Sequence, residues 1–263
     1  MSSRAWRQFS AIWVGMAIFA LFPGTGQGSD WKHIGAELNF WAQEGEGFLR
    51  GDLSSIPGTP IQLESDLGLE TDVGIADGRV WLGAGGSHLV LSFYQSEYEG
   101  QTVLNQDLTF NGQTYSLGEN VDSLIDNSVL GLYWYQTLIP LKVVTIGFQV
   151  GVDVLDLHAT LDSPLTGLET VSETVPLPAV GLHLSIKPAA KFRIYADVSI
   201  LSATVGGNDF DLTDGRAQIE FYFTEFFGLH GGYRLFDIDV DSDDFGALDY
   251  TQKGPFLGMT VRF

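Results

Sequence analysis

The chain has 263 residues, a formal net charge of −20 and no cysteine, so disulfides, a thiolate nucleophile and a zinc–thiolate site are excluded. The acidic excess, without any basic stripe that could neutralise phosphates, argues against a nucleic-acid partner. With 32 glycines, 13% aromatic residues and only 13 lysines and arginines, the composition favours pleated sheet over helix. The length fits one barrel of eight to ten strands or one to two soluble domains.

The amino terminus has the pattern of an export signal. Arg4 and Arg7 precede an uncharged apolar run at 9–22, and Pro23 ends its helical potential before the small residues at 26–28. The run is shorter than the ~20 residues that a spanning helix needs. The sequence therefore predicts a cleaved signal peptide at 1–28, with a retained membrane anchor as the alternative, and one mature domain at 29–263.

Ten strand-like runs follow in the mature chain. They lie at 33–41, 75–83, 88–99, 122–138, 142–158, 174–187, 191–205, 212–224, 226–240 and 250–263. The connections between them alternate between long and short, as in even-stranded antiparallel membrane barrels. The prediction is an all-β, up-and-down transmembrane barrel of ten strands. Eight strands are the alternative, because the run at 75–83 is weak.

The predicted connections differ in composition. Short turns are expected at 83–86, around Pro140, at 187–190 and at 224–226, and polar segments such as 43–73, 100–120 and 160–172 are expected to be long loops. Parts of the first two could pair as extra hairpins.

One face of the runs is apolar and free of charge over five consecutive strands. The other face carries glycine, small polar residues, tyrosine and isolated charges, which suits a crowded barrel interior. A charge at the centre of a lipid-facing strand would cost ~2–4 kcal/mol, so the apolar face is predicted to contact lipid. A soluble lipocalin-like barrel is the alternative. Aromatic residues near strand ends are predicted to form interfacial girdles. These are Tyr94, Tyr98, Tyr133 to Tyr135, Phe226, Phe227, Phe256 and Phe263.

The last strand places Leu257, Met259, Val261 and Phe263 on one side. An ending of this kind resembles the closing strand of Gram-negative outer-membrane β-barrels. That resemblance implies that Phe263 is an assembly signal read by the barrel-assembly machinery. It also implies a place in the cell outer membrane, among its lipid and lipopolysaccharide.

Two further likenesses extend this resemblance. The segment at 61–70 resembles a stretch of small, mostly uncharacterised outer-membrane barrels. In architecture, residues 31–263 are similar to the OmpA- and OmpW-like small barrels.

Strand parity predicts a set of charged residues that point into the barrel. The set consists of Glu37, Asp153, His183, Arg193, Asp197, Arg216, Glu220, His230 and Arg234. Buried charges must be paired, since removing one partner costs ~3–5 kcal/mol. The set is therefore interpreted as an internal salt-bridge network that plugs a narrow barrel. A polar path for small solutes or protons is the alternative.

No catalytic residues and no cofactor are predicted. Asp156 and His158 share a strand face, and Asp209 and Asp211 lie near another rim, which resembles the rim acids and Asp–His pairs of ten-stranded outer-membrane proteases. An Asp-x-His triplet is weak evidence. The acidic run at 237–244 lacks the glycine and glutamate of a calcium-binding hand, so it is interpreted as a solvated loop, with weak Ca²⁺ or Mg²⁺ binding as a hypothesis.

The sequence therefore predicts a non-enzymatic outer-membrane barrel. Its predicted role is structural, or that of a narrow passive conduit for small or apolar solutes. The alternatives are a barrel hydrolase acting on lipid A or peptide at its rim, and a soluble binding barrel.

Overall fold

The computed structural model describes residues 33–51, 58–205, 208–242 and 246–263; the predicted signal peptide at 1–28 lies outside them. The described residues form thirteen β-strands. They are β1 (Ile34–Gly51), β2 (Ile61–Gln62), β3 (Asp72–Ala84), β4 (Ser87–Val103), β5 (Leu108–Phe110), β6 (Gln113–Tyr115), β7 (Asn120–Pro140), β8 (Val144–Ser163), β9 (Gly167–Ala189), β10 (Phe192–Val205), β11 (Asn208–Tyr222), β12 (Phe227–Ser242) and β13 (Gly246–Arg262). Within the described ranges, no helix is long and apolar enough to cross a bilayer.

Ten long strands form one closed barrel. β1, β3, β4 and β7 to β13 pair with their neighbours in chain order, all antiparallel. β13 pairs with β1 from Gly35 opposite Arg262 to Gly51 opposite Gly246, which closes the ring. The prediction of a ten-stranded up-and-down barrel, with the last strand next to the first, is confirmed.

The predicted short turns are present, but each predicted long loop contains strand residues. The start of β1 and the end of β13 lie at the short-turn end of the barrel, since Ile34 pairs with Leu82 beside the turn after Ala84 and exchanges backbone hydrogen bonds with Phe263. At the opposite end, β8 runs to Ser163 and β9 starts at Gly167, so the expected loop at 160–172 was wrong. Its polar residues alternate with buried Leu161 and half-buried Val171, which makes it a strand with one wet face.

The barrel has two halves, and the polar and apolar faces of the wall are exchanged between them. The lower half runs from the start of β1, the end of β13 and the short turns up to the level of Asp77, Tyr94 and Val180, and the upper half is the remainder of the described barrel. In the lower half the outer surface is apolar and the interior is charged. In the upper half the outer surface is acidic and the interior apolar, with a buried core that includes Leu49, Val121, Ile125, Leu155, Leu157, Leu161, Leu212, Ile238, Val240 and Leu248.

Two seams divide the wall of the upper half. Pairing between β9 and β10 ends at Val180 opposite Ile200, and pairing between β3 and β4 ends at Asp77 opposite Tyr94. Above these points β4, β7, β8 and β9 form one sheet and β10 to β13 with β1 and β3 form another, and the segment at 69–71 joins them through backbone hydrogen bonds to Glu99 and Gly45. The two sheets face each other across the apolar core, as in a β-sandwich.

Proline explains the seam beside β9. The next residues of β9 above Val180 that should bond to β10 include Pro178 and Pro176, which have no N–H to donate. Both prolines remain paired with β8, opposite Val152 and Val154. The backbone nitrogens of Pro176 and Pro178 must therefore face away from β8, because a strand tolerates proline only where no ladder N–H is required.

Loop segments close the top of the upper half. The β5–β6 hairpin buries Leu108, Phe110 and Tyr115, and the Tyr115 hydroxyl donates to the Leu161 carbonyl at 3.1 Å. Hydrogen bonds to the Glu119 carboxylate lower its pKa to about 2, and the bond from the Ser163 hydroxyl contributes most. The segment before β3 adds buried Ile61, Leu63, Leu67 and Leu69, and Leu69 bridges to Gly100. A Cβ at Gly100 would lie 2.7 Å from the backbone of Leu67 and Gly68, so only glycine admits this close approach.

The predicted aromatic girdle is partly wrong. Phe226, Phe227 and Phe263 are exposed near the lower rim, and the Phe226 and Phe263 rings stack at 5.7 Å. The remaining predicted members, apart from Trp134, point inwards and are buried. They are Tyr94, Tyr98, Tyr133, Tyr135 and Phe256. Each of them lies an even number of positions from inward-pointing residues of its own strand, so its side chain also points into the barrel.

Candidate functional site: the charged interior

All nine residues of the predicted inward set point into the barrel, eight of them in the lower half and Asp153, opposite Leu177, just above it. Eight are buried, and the Asp197 side chain keeps 13% of its exposure. Four more titratable residues that the sequence analysis did not single out lie among them: Asp77, Arg79, His88 and Asp214. The interior is therefore richer in charge than predicted.

Asp77 is the centre of this network. It is fully buried, and one of its carboxylate oxygens accepts from the guanidinium groups of both Arg216 and Arg234, the latter at 3.2 Å. Arg234 also grips Asp214 with two hydrogen bonds of 3.0 and 3.2 Å. Because β11 and β12 supply these partners to Asp77 of β3, the cluster links separate parts of the barrel wall.

A second cluster lies nearer the lower rim. Arg193 binds Glu220 in a two-pronged arrangement at 2.6 and 2.8 Å. Glu37 stands 4.0 Å from Arg193 and 3.7 Å from Arg216, so it links this pair to the Asp77 cluster. Two-pronged pairs of this kind fix geometry as well as charge.

A third group joins β3, β7 and β10. Arg79 lies 3.7 Å from Asp197, and the Tyr135 hydroxyl bridges them with hydrogen bonds of 3.2 and 2.9 Å. The His183 ring packs against Tyr135, with centroids 5.2 Å apart. Asp153, also buried, accepts a hydrogen bond from Tyr133.

His230 is held apart from the ion pairs. Its Nδ1 lies 2.8 Å from the Thr260 hydroxyl, and its Nε2 contacts the Asn39 side-chain oxygen. Both ring nitrogens thus have neutral partners on β13 and β1, the two strands that close the barrel. The position suits a structural role at this junction.

Aromatic rings separate the charged interior from the apolar core above it. The guanidinium of Arg234 lies between Trp41 and Tyr94, 5.0 and 4.5 Å from their ring centroids. Tyr94 in turn packs edge-on against Phe236 at 6.0 Å. Desolvated contacts of a cation with ring faces contribute up to ~2 kcal/mol each. This aromatic layer marks the top of the network.

An amide and hydroxyl layer lies beside and above those rings. The Gln252 amide donates to Ser96 at 2.7 Å and to Tyr98 at 3.0 Å, and Tyr94 donates to the Gln252 oxygen at 2.9 Å. The apolar core of the upper half begins above it, where Tyr98 meets Tyr250 edge-on. The polarity of the interior thus changes over a few residues.

Little free space remains inside. A cavity among Arg79, Tyr133, Asp197 and Arg234 measures about 20 Å³, and one between the two upper sheets measures about 30 Å³. Each has room for about one or two waters. Buried atoms such as Asp77 Oδ1 and Glu37 Oε2 have no protein hydrogen-bond partner. Ordered water would satisfy such atoms.

The rim residues singled out from the sequence lie on the outer wall. Asp156 and His158 are 3.7 Å apart, partly exposed, and point away from the interior. Asp209 and Asp211 also face outwards, opposite Asp241 and Asp239 across the β11–β12 pair. These pairs are not brought together into one cluster.

The acidic run at 237–244 is largely strand rather than loop. Asp237, Asp239 and Asp241 of β12 face outwards, whereas 243–244 lie outside the described residues. Burial and four neighbouring aspartates raise the pKa of Asp239. Across the described ranges, no group of three or more His, Asp or Glu side chains is placed to hold a metal ion.

Strand parity could have found the missed interior charges. Asp77 and Arg79 lie two residues apart in the run judged weak, and Asp214 precedes Arg216 by two on β11. The Asp-Gly pair at 77–78 is typical of turns. Here Gly78 pairs with Leu38 in mid-strand.

Comparison with known proteins supports the fold and leaves the chemistry open. No protein-family model and no curated protein matches the sequence. The outer membrane protease OmpT from Escherichia coli matches in structure at 9% identity and a TM-score of 0.55, covering 88% of this chain and 96% of that one.

Two other solved structures match with lower scores. Ail of Yersinia pestis, solved with a heparin analogue, has 11% identity and a TM-score of 0.38, over 88% and 99% of the two chains. The translocator domain of NalP from Neisseria meningitidis has 13% identity and a TM-score of 0.44, over 97% and 96%. The OmpT likeness shows a shared fold, and no argument rests on the other two. The chain has the fold of outer-membrane β-barrel proteins.

Proposed function

We propose that this chain is an integral outer-membrane protein with a structural role, in which a closed barrel anchors a two-sheet body above the membrane. The observation that carries the proposal is the filled interior: a charge network lies beneath an aromatic layer and an apolar core. The cavities found at the two levels among the described residues have room for only one or two waters each, which disfavours the alternative role as a conduit for small or apolar solutes.

The outer surface of the lower half supports the membrane location. Its side chains are mainly leucine, valine, isoleucine and phenylalanine; Leu38, Leu182 and Leu257, for example, are 56–68% exposed. A soluble lipocalin-like barrel would hold this belt in water, whereas a lipid surface covers it without cost. The predicted export, the lipopolysaccharide contacts and the reading of Phe263 by the assembly machinery belong to the same proposal.

Planar-bilayer recording tests the closed interior. The refolded full chain should show no discrete openings at moderate voltage, while a general porin in the same bilayers does. Reproducible openings of constant conductance would support the conduit and overturn the structural role.

A non-enzymatic role is also part of the proposal, because Asp156 and His158 lie partly exposed on the outer wall, apart from the other rim carboxylates Asp209 and Asp211. Incubation with lipid A or a mixed peptide library should yield no products above a heat-denatured sample. Hydrolysis that disappears in His158→Ala would instead support the rim hydrolase.

A further inference from the structure

The lower rim of the barrel carries an arc of cations outside the interior network. This rim is the short-turn end, and it consists of the adjoining strand ends and the connections at 85–86, 141–143, 190–191 and 223–226. Its cations are exposed Lys142 and Lys191 and half-buried Lys187 and Arg262. Among the described residues of the rim, Glu225 is the only exposed acidic side chain. This end of the barrel is therefore positively charged.

Backbone hydrogen bonds place these cations on neighbouring turns. The Lys187 N–H donates to the Val143 carbonyl at 2.8 Å, so Lys187 adjoins the turn between β7 and β8. The Lys191 carbonyl accepts a hydrogen bond of 2.8 Å from the Tyr222 N–H. The Arg262 guanidinium lies over the Tyr222 ring, 3.4 Å from its centroid. The cations thus follow one another from the β7–β8 turn to the end of β13.

Phenylalanine rings lie beside this arc. The ring centroid of Phe221 lies 5.0 Å from those of Phe192 and Phe223. Phe223 in turn stacks with Phe227 at 6.2 Å. Next to Phe263, outward side chains of β1, β3 and β4 line an apolar groove of about 350 Å³. Apolar surface of the outer wall therefore borders the cations directly.

The outer wall of the upper half has the opposite charge. Its exposed carboxylates include those of Glu44, Asp72, Glu97, Asp122, Asp162 and Asp211. Two cations on this wall, Arg50 and Lys253, form ion pairs with Asp241 and Glu46. The whole chain has 33 acidic and 13 basic residues, so a rim with four cations and one exposed carboxylate departs strongly from the average composition.

The position of the rim indicates which anion it meets. The proposed membrane location surrounds the lower half with lipid, so the rim lies at the level of the headgroups, where aromatic side chains are also common. Short turns of such barrels face the periplasm, which makes the periplasmic leaflet the neighbour. Each lysine or arginine near an anionic bilayer surface strengthens the attraction by about fivefold. Anionic phospholipid headgroups complement this charge.

We propose that the lower rim binds anionic phospholipids in preference to zwitterionic ones. Lys142, Lys187, Lys191 and Arg262 attract the headgroup phosphate, and the phenylalanine rings contact the adjoining acyl chains. This inference rests on the proposed membrane location and adds to it the class of lipid and the end of the barrel that selects it.

Spin-labelled lipids test this preference. The full chain is refolded into phosphatidylcholine vesicles that contain either spin-labelled phosphatidylglycerol or spin-labelled phosphatidylcholine. The motionally restricted fraction of each label gives the ratio of their association with the protein surface. We expect the wild type to favour phosphatidylglycerol at least threefold, and Lys142→Gln with Lys191→Gln to halve that ratio or lower it further. Arg50→Gln with Lys253→Gln removes the same charge from the upper wall and should keep the wild-type ratio.

The outcomes separate lipid selection from membrane insertion. If no label of either kind is restricted, the chain is not embedded in the bilayer and the proposed membrane location fails. If lipid is restricted but the wild type shows no preference for phosphatidylglycerol, only the inference on lipid class is overturned. It is overturned equally if the two double variants lower the ratio by the same factor, because the preference would then follow net charge rather than the lower rim.

Discussion

The same strands run through both halves of the barrel, but their polar and apolar faces are exchanged between the two halves. Along β9, outward Leu182 in the lower half gives way to outward Thr174 in the upper half, while inward His183 gives way to inward Leu177. Alternate residues continue to point inwards and outwards along the strand. The inward face, however, changes from polar to apolar, and the outward face changes from apolar to polar. The proposed membrane location explains the difference, because a face next to lipid must be apolar and a face next to water polar. Charge is therefore buried where the exterior is apolar, and apolar surface is buried where the exterior is wet.

Breaking the charged interior should have the largest effect. Asp77→Asn leaves Arg216 and Arg234 short of a buried counter-charge, so we expect a loss of ~3–5 kcal/mol in the free energy of unfolding. Urea unfolding of refolded protein, followed by tryptophan fluorescence, measures it. Asp72→Asn on the exposed outer face of the same strand is the control and should change stability little. Equal effects would mean that the network contributes no stability.

Substitutions in the apolar core of the upper half should destabilise the protein nearly as much as Asp77→Asn. Leu155→Ala removes a side chain that is 2% exposed, and a cavity of this kind costs ~2–5 kcal/mol. Leu182→Ala, on the lipid-facing surface, should cost less, because detergent or lipid chains fill the space. The same unfolding measurement in micelles compares the two. A larger cost for Leu182→Ala would contradict the existence of a packed upper core.

Arginine substitutions should locate the membrane boundary. On the outward face of β9, Leu182→Arg places a charge in lipid at a cost of ~2–4 kcal/mol, whereas Thr170→Arg places it in water at a cost near zero. Unfolding in lipid vesicles measures both. Equal tolerance at the two positions would show that the lower half is not surrounded by lipid.

The acidic outer wall should give the smallest effect. Burial and the nearby carboxylates raise the pKa of Asp239, so its charged form destabilises the folded state at neutral pH. Asp239→Asn should stabilise by about 0.2–1 kcal/mol at pH 7. The gain should shrink as pH falls through the raised pKa, since wild-type Asp239 then becomes neutral as well. Thermal melts at several pH values test this, with Thr213→Val nearby as a control, and a gain that is constant with pH would contradict it.

Much of the fold could be predicted from periodicity, because alternation with period two identifies strands whatever their surroundings. The inward set was found for the same reason, by counting from residues such as Arg193 and Glu220. The prediction of a loop at 160–172 is wrong because the alternation continues there with the polar face outside.

The ion pairs could not be predicted from the sequence. Asp77 and Arg216 are 139 positions apart, and only barrel closure and stagger bring them together. Likewise, the seam beside β9 depends on which backbone side Pro176 and Pro178 present, and parity of side chains alone does not reveal that.

The exchange of polar and apolar faces between the two halves also determines the height of the apolar outer surface. On β1 the apolar outer face spans residues 34–42 and ends before Glu44, which amounts to nine residues. At about 3.3 Å per residue and a tilt of about 40°, that is a hydrophobic height of roughly 23 Å, close to the ~25 Å band of membrane barrels. The chain thus encodes a thickness preference, so bilayers of longer acyl chains should thin around it or exclude it.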